Sequence, residues 1–317
     1  MVDHERVPYD EFSMFHENAA EYGLAFDEPP VVRRVHVPVD GERRLSALCW
    51  GLGEPEIVLL HGGAQNAHTW DTVALALRPR PLVAIDLPGH GHSDGPGPAQ
   101  RAGAAVTGAA TDVAVVIEHL APHAAAVVGM SFGGLTAIAL AGMAPHLVRK
   151  LVLVDIVPGI ERDHARHIVE FVSGPPTFAG FDELLARTMK FNPTRSESSL
   201  RRGILHNAVQ LDDGTWVWRH SRWRLDEESQ VSGPAGVDDD NGGDTIFEDQ
   251  LATLERIDVP ILLARGLRQD SILRDEDEAE LLRRQPTAHV VPFADAGHSI
   301  QGDSPVHLAA VIDEFAR

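Results

Sequence analysis

The sequence runs to 317 residues and carries 47 Asp and Glu against 27 Lys and Arg, a formal charge of −20 at pH 7. A chain that acidic repels nucleic acid and anionic membrane surfaces, so neither is expected as a partner, and solubility is the ordinary explanation of the charge. Its 44% apolar content is ample for a buried core, and its length fits one α/β core with an insertion better than two unrelated domains.

Residues 1–30 form an acidic arm with scattered aromatics, Phe12, Phe15, Tyr22 and Phe26, ending at Pro29-Pro30. The arm is expected to pack as an amphipathic segment or to stay partly mobile. Nothing in it joins basic residues to an apolar run, and no later stretch approaches a membrane span, so a cytoplasmic location is the default. Runs 31–39 and 43–50 read as opening antiparallel strands joined by the turn Asp40-Gly41. The single cysteine, Cys49, falls in the second run as a small buried hydrophobe and excludes an intramolecular disulfide framework.

Strands then alternate with helices: a strand at 57–60, a helix near 69–77, a strand at 82–85, a helix near 109–120, a strand at 124–128 and a helix at 135–143 closing at Pro145. This alternation implies an α/β fold, a mostly parallel sheet with helices on both faces. After the strand at 151–154, strand signals stop over 158–245, where helix-like, polar and aromatic segments mark an inserted, largely helical cap. Within it, 232–244 is a charged, Gly-rich stretch without apolar periodicity, expected as a mobile surface loop; it lacks the EF-hand order, so no calcium site is expected. The core, 31–157 and 246–317, resumes with strands at 261–266 and 288–293 and ends in a helix at 305–315. No internal repeat is visible.

Gly129-Met130-Ser131-Phe132-Gly133 fits Gly-x-Ser-x-Gly and lies between a strand run and an Ala-rich helix run. That context makes it a candidate nucleophile elbow, in which glycines spare a strained turn from clashes. Three more segments follow strand-like runs: His61-Gly62-Gly63-Ala64, the loop from Asp86 to Asp94, and Asp295-Ala296-Gly297-His298. Gly-rich backbone at the first of these can offer an amide to a developing oxyanion.

With these residues the chain resembles the α/β-hydrolase superfamily, most closely its bacterial members with one cap domain, which include serine esterases and carbon–carbon bond hydrolases. The resemblance covers nearly all of the chain after about residue 30. It implies Ser131 as nucleophile, His298 as base, and the backbone amides of Gly63 and Phe132 as oxyanion hole. Two positions compete for the acid. Asp270, in the loop beyond 261–266, is preferred; Asp155 is the alternative, because an Asp ending the strand at 151–154 commonly bonds loop amides instead. His61 is expected to be a hydrogen-bonded scaffold residue.

The activity so implied is hydrolysis of a small to medium carboxylic ester, aromatic esters and acidic half-esters included, through an acyl-enzyme and without a cofactor. The alternatives are a carbon–carbon bond hydrolase of a ring-cleavage product, a lactonase, and more remotely a non-catalytic ligand-binding protein on the same scaffold. A nucleophilic Ser in place of Asp disfavours the dehalogenase and epoxide-hydrolase branches. In the insertion, Trp216, Trp218, Arg219 and Arg222 are candidate substrate-binding residues, an aromatic wall with an arginine for a carboxylate. The competing and preferred reading is a cap helix docking its tryptophans on the core. Seventeen histidines raise the question of metal. Neither His90 with His92 nor His164 with His167 has a third ligand at fixed spacing, so no metal is expected. The expected partner is a small-molecule ester, and the expected state a monomer or homodimer.

Overall fold

The computed structural model describes residues 6–101, 104–160, 164, 166–220 and 243–317. Helix α1 (Phe15–Glu21) precedes the antiparallel pair β1 (Val32–Pro38) and β2 (Arg44–Trp50). The first half of the core continues with β3 (Ile57–Leu60), a 3-10 turn at Ala67–Trp70, α2 (Asp71–Ala76) and β4 (Leu82–Ile85). It closes with α3 (Pro98–Arg101), α4 (Ala105–Leu120), β5 (Ala126–Met130), α5 (Phe132–Met143) and β6 (Leu151–Val154). The insertion holds α6 (Arg166–Val172), β7 (Thr177–Phe178), α7 (Phe181–Phe191), α8 (Glu197–Asn207), β8 (Ala208–Gln210) and β9 (Trp216–Trp218). The core returns with α9 (Gly243–Glu255), β10 (Ile261–Gly266), α10 (Asp275–Arg284), β11 (His289–Phe293), α11 (Ile300–Asp303) and α12 (Pro305–Ala316).

Eight strands form one sheet in the order β1-β2-β4-β3-β5-β6-β10-β11, parallel from β4 onward. β3 to β6 are apolar along nearly their whole length because both faces are covered. With side chains alternating at period two, Val58, Leu60, Val127 and Leu153 pack under Val113, Val116 and Ile117 of α4 and Ile138 of α5. Ile57, Leu59, Val128 and Val152 turn the other way, against Val73 of α2 and Leu308 and Ile312 of α12. Each such fully buried side chain contributes roughly 1.5–3 kcal/mol.

The insertion, expected to be largely helical, also holds a small sheet. β7, β9 and β8 pair antiparallel, with Thr177 opposite Val217 and Ala208 opposite Trp218. Strands of two or three residues are too short to show a period, although Trp216-Val217-Trp218 has the aromatic and β-branched composition that suits a pleated surface. The tryptophans therefore sit on a strand and not on a helix. The loop expected at 232–244 lies outside the described residues, except that Gly243 and Asp244 open α9. Among the described residues, no helix is long and apolar enough to cross a membrane.

Residues 6–30 of the arm pack against both the insertion and the core. Phe15 packs on Trp50 with ring centroids 4.8 Å apart, while its neighbour Met14 belongs to the apolar cluster of the insertion with Phe178, Ile204 and Trp216. Arg202 of α8 donates to Asn18 at 2.9 Å and pairs with Glu17 and Glu21, and Tyr9 Oη bonds His206 Nδ1 at 2.9 Å. On the core side, Arg34 pairs with Glu11 at 2.6 Å and with Asp86 at 2.7 Å, and His68 lies 3.2 Å from Glu11 and 2.9 Å from Asp71.

Burial pushes the Glu11 carboxyl upward, but hydrogen bonds from His68 and Arg34 outweigh it and draw the group down to about 2. Burial likewise opposes charge on His68, and there Asp71 and Glu11 outweigh it, raising the ring to about 9. A folded value above the ordinary 6.5 means that the contribution of His68 is whole below pH 6.5 and is lost as pH rises through about 9. At full extent it is on the order of 3 kcal/mol. Thermal melts between pH 6 and pH 10 are expected to show Tm falling across that window, and His68→Gln to melt lower at pH 6 with a flatter alkaline limb; an equally steep limb in the variant would assign the loss to another group.

Candidate active site

Ser131 follows the last residue of β5 at φ 50°, ψ −120°, a region costing a non-glycine residue roughly 1–3 kcal/mol. The turn is held by what surrounds it. Ser131 N–H donates to Val154 O at 3.3 Å, and Ser131 C=O accepts from Gly134 N at 2.8 Å and Leu135 N at 3.1 Å. A Cβ on Gly129 would run into the Gly133 carbonyl, and one on Gly133 into the Leu60 carbonyl, so glycine alone lets α5 start against the sheet edge. Ser131 thus stands over the positive end of a 12-residue helix whose first amide, that of Phe132, has no acceptor within the helix.

The loop after β3 lies beside it: a Cβ on Gly62 would meet the Met130 side chain and come within 3.3 Å of Ser131 Cβ. Two histidines fix this loop. His61 Nε2 accepts from Leu87 N at 2.9 Å, which leaves the proton on Nδ1 to donate to Gly62 O at 2.7 Å. Because C=O and the following N–H of a planar trans peptide point opposite ways, the Gly63 N–H is directed away from that anchor, and Gly63 itself is exposed. Burial, then the nearby His90, lowers the His61 ring to about 3, so its hydrogen-bonding pattern is constant across the working pH range. His90 Nε2 accepts from Ala64 N at 3.1 Å, and Gln65 Oε1 accepts from Gly62 N at 3.1 Å.

His298 follows β11 and is buried; its Nδ1 lies 2.9 Å from Oδ2 of Asp155. Asp155 is fully buried and continues β6 at φ 50°. Its Oδ1 accepts from Gly266 N at 2.9 Å and Ser271 Oγ at 2.8 Å, and its Oδ2 also accepts from Ile272 N at 3.3 Å. Since Met130 is in register with Val154, Ser131 and Asp155 leave adjacent parallel strands at matching positions. Both, with His298, stand at the carboxyl ends of the strands, where open α/β sheets bind ligands.

Asp270, the preferred candidate for the acid, does not bring its carboxylate to His298. Its carboxylate turns outward to Arg268, at 3.1 and 2.9 Å, and is about half exposed. Only its backbone reaches the histidine, the carbonyl accepting from His298 N at 3.3 Å. The bonding of loop amides that counted against Asp155 is present, one amide to each oxygen, and Oδ2 meets the imidazole as well.

The four candidate substrate residues are dispersed. Trp216 meets Phe181 at 5.3 Å and Trp218 meets Phe171 and Phe178 edge-on at 5.9 Å, so both build the insertion's own apolar core. The guanidinium of Arg219 lies 5.7 Å from the centre of the Tyr9 ring, and Arg222 is outside the described residues. Toward the site, Trp218 stacks near His220 at 6.1 Å, His220 near His90 at 6.2 Å, and His90 near Phe132 at 6.3 Å. The roles of His90 and Gln65 had no sequence signal beyond proximity to Gly-rich loops.

Among the described residues, His68, Asp71 and His206 have donor atoms within 4.8 Å of one another, the spacing a shared ion would need. The two rings are stacked at 3.8 Å and 11°, however, and in-plane lone pairs of parallel rings do not converge on one point. His68 and Asp71 belong to the buried ion-pair network described above, while burial and the neighbouring His68 push the His206 ring well below its ordinary value.

Residues 55–305 match the family model of the alpha/beta hydrolase fold. The chain is 39% identical over 324 aligned residues to the esterase Rv0045c of Mycobacterium tuberculosis, covering 98% of this chain and 97% of that one. The crystal structure of that esterase superposes with a TM-score of 0.77 at 37% identity, over 98% of this chain and 99% of its own. A pimeloyl-[acyl-carrier protein] methyl ester esterase of Pectobacterium atrosepticum is 36% identical over 132 residues, 38% of this chain and 48% of that protein.

The packing at the elbow is directly testable. Gly133→Ala must push its methyl against the Leu60 carbonyl, and a loss of roughly 1–3 kcal/mol is expected from thermal or denaturant unfolding; unchanged stability would mean that α5 does not approach the sheet as closely as described.

Proposed function

The chain belongs to the alpha/beta hydrolase family, and on that footing we propose that Ser131, His298 and Asp155 are its nucleophile, base and orienting acid. It is a serine hydrolase of carboxylic esters. The observation that carries the assignment of the acid is the 2.9 Å contact of Asp155 Oδ2 with His298 Nδ1, made by a carboxylate immobilised by three further donors.

In the proposed cycle Asp155 accepts a hydrogen bond from Nδ1–H of His298, which keeps the proton on Nδ1 and leaves Nε2 as the basic nitrogen. His298 takes the proton of Ser131 as Oγ attacks the ester carbonyl, then delivers it to the departing alcohol. The amides of Gly63 and Phe132 receive the oxyanion, each contributing on the order of 3 kcal/mol to transition-state stabilisation. Water, activated by the same histidine, releases the acid. No step calls on a cofactor. We assign the insertion as a cap, supported by the end of α8 bonding to the loop after β3, where Asn207 Nδ2 donates to Ala64 O. Small to medium esters, aromatic ones included, are the proposed substrates. A cytoplasmic monomer or homodimer completes the reading.

Hydrolysis of p-nitrophenyl esters of rising acyl length, with fluorophosphonate labelling alongside, tests this. Ser131→Ala is expected to abolish both turnover and labelling. Asp155→Asn is expected to lower kcat by about 10³–10⁴, and Asp270→Asn to leave it within a few-fold. Equal losses in the two Asn variants would return the role of the acid to Asp270.

A further inference from the structure

The loop that presents Gly63 is held partly from outside the core. Ala64 has φ 59°, in the left-handed region that residues with a Cβ seldom occupy. Its peptide groups are gripped on both sides. The Ala64 N–H donates to His90 Nε2 of the core at 3.1 Å, and the Ala64 C=O accepts from Asn207 Nδ2 of the cap at 2.5 Å. Asn207 is the last residue of α8, and its orientation is determined by partners. Nδ2 faces an acceptor that only a donor can satisfy, while Oδ1 accepts from Asn66 Nδ2 at 3.1 Å. Asn66 Nδ2 also reaches His206 O at 3.1 Å, and Asn66 Oδ1 accepts from His68 N at 2.9 Å to start the 3-10 turn. The end of one cap helix is thereby stitched to the loop at Ala64 and at Asn66, on the side of Gly63 that His61 does not hold.

We propose that Asn207 is a positioning residue for ester hydrolysis: by holding the Ala64 carbonyl from the cap, it keeps the loop in the left-handed turn that directs the Gly63 amide at the developing oxyanion. The inference rests on the assignment of Gly63 to the oxyanion hole. Seating of the cap then completes the catalytic apparatus as well as covering it. A bond that served docking alone would act on substrate affinity and on stability, whereas one that aligns an oxyanion donor acts on kcat.

The test is steady-state kinetics with p-nitrophenyl esters, fluorophosphonate labelling rates and thermal melts on Asn207→Ala, Asn207→Asp, Ala64→Gly, the double variant Ala64→Gly/Asn207→Ala, and Ser131→Ala. Asn207→Asp keeps the size and the acceptor for Asn66 but loses the donor. Both single changes at 207 are expected to lower kcat and the labelling rate by about tenfold with KM within about twofold. Glycine adopts positive φ freely, so Ala64→Gly is expected to restore much of the kcat that Asn207→Ala loses. Unchanged kcat in both variants at 207, or a loss that follows Tm and is not relieved by Ala64→Gly, overturns the proposal while an inactive Ser131→Ala leaves the hydrolase reading standing. Turnover persisting in Ser131→Ala overturns that reading and this inference together.

Discussion

Everything at the carboxyl edge of the sheet is organised around one buried carboxylate. Asp155 has no exposure to water, and burying an ionised group is tolerable only when its lone pairs are answered by donors. Here they are: Gly266 N and Ser271 Oγ on one oxygen, Ile272 N and His298 Nδ1 on the other. The first three belong to the end of β10 and the loop beyond it, the fourth to the loop after β11, so one side chain ties the ends of three neighbouring strands. The same group that sets the imidazole also sets the walls around it, and the geometry of the site is inherited from the parallel register of β5, β6 and β10.

The loop after β3 follows a different logic, neutral hydrogen bonds in place of charge. His61 and His90 each use one ring nitrogen as acceptor for a backbone amide and the other toward a carbonyl, Gly62 O and Pro88 O respectively. A ring that changed protonation near neutrality would exchange an acceptor for a donor and break the loop, and the lowered pKa of His61 prevents this. His68, only seven residues along the chain from His61, takes the opposite course because Asp71 and Glu11 surround it. Burial is common to both rings, and carboxylates near His68 decide the difference.

The legibility of these features in the sequence tracks how local their physics is. The strained turn at Ser131 was readable because the close approach of α5 to β3 demands glycine at 129 and 133, a constraint written within five residues. Likewise the alternation of short apolar runs with helix formers implied a parallel sheet, since strands covered on both faces need no polar positions. The choice between Asp155 and Asp270 was not local. It turns on the path of the chain beyond β10, where Leu267 N bonds Phe293 O and Arg268 N bonds Ala296 O, sending the Asp270 side chain outward to Arg268. Asn207 carried no signal, because a polar residue at the end of a helix reads as a solvated one until its partner, 143 residues earlier, is known. The short strands of the insertion escaped for want of length.

Met14 and Phe15 are adjacent in sequence, yet they enter two separate apolar cores, one in the insertion and one beneath the sheet. During synthesis Phe15 meets Trp50 soon after both are made, whereas the α8 partners of Asn18 and Tyr9 come 184 and 197 residues later, and Met14 waits for Ile204 and Trp216. Contacts of such long range are entropically costly to close and form late. The arm therefore waits, half anchored, until the insertion has been translated, and the insertion is locked by a segment made before any of it.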